Sequence, residues 1–165
     1  MQTFLPFANY TQCVQILDSK RLNKQVVEAY QLLTGKCGHK NHPASLMWEP
    51  HKFELKLYLI ACSDEYTKRF HKIHKCSLEL PNFQIGNYPF FIDDIRVQYS
   101  HRIRLLTKDY EYYNKFFPVP RSFVESCPEG YYWPVCIGKT AKDASEKWSH
   151  FCSTNFDQLR EYFGD

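Results

Sequence analysis

At 165 residues, with 44% apolar and 24% charged side chains, the chain has the size and composition of one globular domain with its own core. Those figures exclude a low-complexity or fibrous protein. No stretch approaches the ~18 consecutive apolar residues that would argue for a membrane-spanning helix. The net charge is only +3 but unevenly spread: residues 1–80 carry 11 Lys/Arg against 7 Asp/Glu, 96–121 carry 6 against 2, and 122–165 carry 4 against 7.

In chain order, residues 1–16 read as extended, with Pro6 limiting any early helix. The opening MQTFLPFANY lacks the basic lead and long apolar run of a secretory signal, and the seven cysteines are scattered. Both suit an intracellular, reducing compartment. Residues 17–35 predict an amphipathic helix, capped by Asp18 or Ser19 and ended by Gly35, with Leu22, Val26, Ala29, Tyr30 and Leu33 on its apolar face. Gly38, Pro43 and Pro50 punctuate the loop that follows, and Pro50 opens a second helix over about 50–74. Its buried stripe is expected at Phe53, Leu57, Ile60 and Ala61, widened by Leu55, Leu59, Cys62, Tyr66 and Phe70. A loop over 77–92 leads to Asp93 or Asp94, either of which caps a third helix over 94–117 that Pro118 and Pro120 stop. Residues 121–138 allow a short hairpin. A helix over 140–151, capped by Thr140, and a shorter one over 155–163 form an acidic C-terminal extension. The expected fold is mainly α: a compact single domain over 1–165, with three main helices, long loops and that short extension.

Chemistry concentrates on two helices. Arg21, Lys24, Gln25 and Glu28 fall together beside the apolar face of the first, and Glu28 is the only acid between Asp18 and Glu49. Pattern alone leaves two readings open: a solvated helix with a Lys24–Glu28 pair, or a catalytic acid in a groove that attracts phosphate. The third helix carries His101, Arg102, Arg104 and Lys108, followed directly by Tyr110, Tyr112, Tyr113, Phe116 and Phe117. Cations for phosphates beside rings for bases suit nucleic acid, and a basic face over an aromatic core fits equally. The high aromatic fraction, 17%, fits both. Cys37, His39 and His42, and again His71, His74 and Cys76, are zinc-type ligands without the spacing of a tight zinc motif. No metal or cofactor is therefore expected. A zinc-stabilised interaction protein on Cys37, His39, His71 and Cys76 is one alternative.

In order, MQTFLP, LDSKRLNKQVVEA, NHPASLMW, YSHRIRLLTKDYEYY and YYWP resemble the pyrimidine dimer DNA glycosylase family, to which the phage endonuclease V belongs, over residues 1–134. The resemblance implies a small three-helix enzyme. Its chain-terminal amine attacks the anomeric carbon of the sugar, a glutamate on the first helix assists, and the Schiff base permits strand cleavage at the abasic site. The matching glutamate is Glu28. Gln2 follows Met1, so the amine is that of Met1 or of Gln2. The implied partner is double-stranded DNA with a damaged or modified base, bound by a monomer through Lys20, Arg21, Lys24, Gln25, His42, His101, Arg102, Arg104 and Lys108. The alternative from another class is a nucleic-acid-binding module without chemistry.

Overall fold

A short Asn or Asp side chain before a helical run caps four of the described α-helices, and His42 caps a fifth. The computed structural model describes residues 2–36, 40–135 and 138–164. The Asn9 side chain accepts from Gln12 N and starts α1 (Tyr10–Gln15), a helix placed beyond the reach of Pro6 in a stretch expected to be extended. Asp18 caps α2 (Ser19–Thr34) through Arg21 N, and Gly35 ends it at φ 67°, a left-handed conformation that suits glycine. His42 accepts from Ala44 N at the start of α3 (Pro43–Trp48), where Pro43 occupies the first position. A single 3-10 turn, Glu49–His51, connects α3 to α4 (Lys52–Phe70).

Packing selects between the two apolar stripes of α4. The buried side is Leu55, Tyr58, Leu59, Cys62, Ser63 and Tyr66. Leu57 and Ile60, expected inside, are each 37% exposed. The stripe facing α1 and α2 is the one that carries Tyr58, whose hydroxyl satisfies buried polar groups there.

The third expected helix is broken. Asp94 caps α5 (Ile95–Lys108), and at Asp109 the backbone is extended, at φ −158° and ψ 84°. The Asp109 carboxylate then caps a new turn, α6 (Tyr110–Tyr113). The aromatic spacing of four and three ran through this break because α6 packs back on α5. In place of a hairpin, residues 121–126 form α7 (Arg121–Ser126). Helix α8 (Lys139–Thr154) starts after Gly138 without a side-chain cap, not at Thr140, and α9 (Phe156–Phe163) follows. Among the described residues no strand is present, and the protein is mainly α. Four helices, α2, α4, α5 and α8, run 14 residues or more. The C-terminal segment is no appendage: Trp148 and Leu159 are fully buried in the main core. Among the described residues no helix is long and apolar enough to cross a membrane.

One segment has no regular structure yet is among the best buried. Gln2, Thr3, Phe4 and Leu5 are between 0% and 6% exposed. A buried backbone without a sheet partner must find other hydrogen bonds. Here side chains from four helices supply them. Gln25 on α2 holds the carbonyl of Gln2 and the amide of Phe4, at 2.7 and 2.9 Å. Trp48 on α3 donates to the Thr3 hydroxyl at 2.7 Å, and the Tyr58 hydroxyl on α4 shares its one proton between Gln25 Oε1 at 2.7 Å and the Phe4 carbonyl at 3.2 Å. His101 and Arg102 on α5 take the Leu5 amide and the Pro6 carbonyl, at 2.8 and 2.7 Å.

Candidate active site

The threaded segment ends at a carboxylate. The backbone N–H of Gln2 donates to Glu28 Oε2 at 3.1 Å, and the Gln25 amide donates to the same oxygen at 3.3 Å. The other oxygen, Oε1, faces Lys24 Nζ at 3.6 Å. Glu28 is 8% exposed, so the carboxylate opens only into the cleft beside it. That cleft, about 430 Å³, is lined by Gln2, Phe4, Lys20, Arg21, Lys24, Gln25, Glu28, Lys108 and Tyr131.

The rim is cationic. Lys20 and Arg21 sit in the first turn of α2, where the helix dipole disfavours positive charge. Asp18 compensates: it caps the helix, pairs with the Arg21 guanidinium and accepts from the Tyr113 hydroxyl at 2.6 Å. Partial burial holds the Lys108 ammonium below its ordinary pKa, helped by Arg104, Arg21 and Lys24 and opposed by Glu28. One carboxylate thus stands in a field of cations, an arrangement that attracts a phosphodiester and can stabilise a developing sugar cation beside it.

The structure brings Gln2, Glu28, Lys20, Arg21, Lys24, Gln25 and Lys108 together and places the remaining expected residues elsewhere. Met1 lies outside the described residues. His101 is 1% exposed, and burial pushes its imidazole down to about 3. Leu5 N–H donates to His101 Nδ1 at 2.8 Å, and His101 Nε2 lies 2.6 Å from the Gln2 side-chain amide nitrogen. Arg102 is 7% exposed. Its guanidinium donates to the Pro6 and Phe163 carbonyls and lies 5.0–5.7 Å from the rings of Phe7, Tyr99, Phe117 and Phe163. Neither side chain reaches the cleft: helix α5 turns that part of its basic run inward to hold the threaded segment. Arg104 lies behind the cleft wall, its guanidinium 5.8 Å from the Tyr131 ring. His42 caps α3 and edges a second cavity of about 350 Å³ on the far side of Tyr131.

Sequence reasoning missed Phe4 and Tyr131 as cleft walls and Trp48 and Tyr58 as anchors. The YYWP run was the only signal for Tyr131. Of the zinc alternative, Cys37 and His39 lie outside the described residues, and among the described residues no three His, Cys, Asp or Glu side chains gather as metal ligands.

Such a cleft, cationic around one carboxylate, is electrostatically complementary to a phosphodiester backbone. Residues 1–78, just under half of the chain, match the family of pyrimidine dimer DNA glycosylases. No curated protein and no solved structure matches the chain. Over those residues the match supports the resemblance drawn from the sequence. It takes in the threaded segment and α1 to α4, including Glu28. Lys108 and Tyr131, which complete the cleft, lie beyond it.

Proposed function

We propose that the protein is a DNA glycosylase that removes a damaged or modified pyrimidine, with the chain-terminal amine as nucleophile and Glu28 as its partner. The observation that carries this is the Gln2 N to Glu28 Oε2 contact of 3.1 Å at the end of a segment pinned along its length. With residue 2 first in the mature chain, that nitrogen is itself the amine; with Met1 retained, the amine lies one residue further on. An α-amine has an ordinary pKa of about 7.7–8.0, so part of it is unprotonated at neutral pH; neighbouring cations increase that part and the Glu28 carboxylate decreases it. The nitrogen attacks C1′, and the bond from C1′ to the base breaks with its electron pair on the base, which takes up the proton that Glu28 draws from the nitrogen. Glu28 accepts the proton of the attacking amine and offsets positive charge on the sugar. The second nitrogen proton passes to O4′ as the sugar ring opens to the imine, and removal of a C2′ proton then expels the 3′ phosphate by β-elimination. Lys20, Arg21, Lys24 and Lys108 hold the flanking phosphates. The extra cost of exposing a base is least where damage has weakened its stacking or pairing.

Glu28→Gln keeps the shape and removes the charge. It is expected to lower base release at least 100-fold while the Kd for duplex DNA changes less than threefold. Borohydride reduction of the protein on duplexes with an ultraviolet dimer, an abasic site or no damage is expected to trap a covalent adduct. The mass of its N-terminal peptide tells Met1 from Gln2. Undiminished release by Glu28→Gln sinks the assignment. Absence of any adduct, with salt-dependent binding intact, leaves a nucleic-acid-binding module.

A further inference from the structure

Gln25 was expected to contact DNA. Its side chain is instead directed inward, and the residue is 1% exposed. A primary amide offers two N–H donors and an oxygen that accepts two bonds. All four are engaged: Nε2 donates to the Gln2 carbonyl at 2.7 Å and to Glu28 Oε2 at 3.3 Å, while Oε1 accepts from Phe4 N at 2.9 Å and from the Tyr58 hydroxyl at 2.7 Å. Three of those partners are the chain end and the carboxylate on which the proposed reaction depends. Gln25 and Glu28 stand three residues apart on α2, so both project from one face of the helix.

Other side chains could fill this space without doing the same. A leucine would leave the Gln2 carbonyl and the Phe4 amide without partners. A lysine would pair with Glu28 and damp its charge. A glutamate would repel both Glu28 and the Gln2 carbonyl. The neutral amide leaves the charge of Glu28 intact and aims one of its oxygens at residue 2.

We infer that Gln25 is a positioning residue for the glycosylase reaction, holding residue 2 and the Glu28 carboxylate in fixed register. The inference rests on the amine and Glu28 reading above. Titratable or charged groups facing this pair are Lys20, Arg21 and Lys24 on α2, Tyr58 on α4, His101 and Lys108 on α5, and Tyr131. A Gln25 substitution leaves each of these groups chemically unchanged, so a new limb in the pH profile reports the group introduced.

The test compares the full chain with Gln25→Glu, Tyr58→Phe and Thr3→Val. Single-turnover base release from an ultraviolet-irradiated duplex is followed across pH, with borohydride trapping and Tm alongside. Two carboxylates side by side retain a proton to higher pH. Gln25→Glu is therefore expected to lower release at least tenfold at neutral pH and to move the acidic limb of the profile upward by about one pH unit, with Kd for DNA within twofold. Thr3→Val removes the partner of Trp48 from the same segment without touching Glu28; it is expected to lower Tm and leave the limb where it is. Should Gln25→Glu not fold, Tyr58→Phe, which takes one donor from the Gln25 oxygen, is expected to lower kcat severalfold with KM held. A wild-type limb in Gln25→Glu, or unchanged kcat in Tyr58→Phe, overturns the positioning role while the amine reading stands. A wild-type protein that neither releases base nor forms an adduct overturns both.

Discussion

His101 keeps a neutral imidazole where water cannot reach it. Its pKa is about 3 when folded, against about 6.5 in an unfolded chain. Because the folded value is the lower one, the unfolded chain takes up this proton first as pH falls. The stability associated with His101 is complete above about pH 6.5 and is lost progressively down to about pH 3, at a slope of about 1.4 kcal/mol per pH unit. Urea unfolding across that range is expected to show the loss. A His101→Asn variant, which retains an acceptor for the Leu5 amide, is expected to be less stable at pH 8 but to show a flatter decline below pH 6.5. Arg102, its neighbour in sequence, does related work: by binding the Pro6 and Phe163 carbonyls it ties the threaded segment to the end of α9.

Helix α2 begins in an electrostatically awkward way, and Asp18 resolves it. Burial alone would raise the Asp18 carboxyl pKa, but hydrogen bonds from Tyr113 and Arg21 outweigh burial and hold it below the ordinary value. A carboxyl with a depressed folded pKa stabilises above its unfolded value of about 3.9 and loses that contribution as pH falls through the folded value. Asp18→Ala removes a cap, an ion pair and the Tyr113 contact together. It is expected to cost about 2 kcal/mol at pH 7 in chemical unfolding, with the difference from wild type narrowing below about pH 4. The same variant releases Arg21 from its partner, so weaker DNA binding is expected alongside the lost stability.

Over the whole molecule, what could be read from the sequence was what is local. The start, end and buried face of α2 depend on residues within a few positions of each other, and so did the grouping of Arg21, Lys24 and Glu28 beside that face. On α5, Arg102 and Arg104 looked equivalent to Lys108. The Pro6 and Phe163 carbonyls that hold the Arg102 guanidinium inward are 96 and 61 positions away. The break at Asp109 was hidden because an aromatic repeat crosses it unchanged. Least legible was MQTFLP: it has no periodicity, and the groups that hold it come from residues 25, 48, 58, 101 and 102.

That threading changes what a stretch without regular structure normally does in solution. Such stretches usually open locally, and their amides exchange with solvent within the folded state. Here the Phe4 and Leu5 amides donate to Gln25 and His101 inside the core, at 4% and 0% exposure. In deuterated buffer they are expected to exchange as slowly as the amides of buried Leu59 on α4, by global opening alone. Exchange at the rate of exposed amides would show that the stretch undocks by itself. A site that cannot come apart before the fold does has one more property: on heating, catalytic activity and tertiary structure are lost at the same temperature.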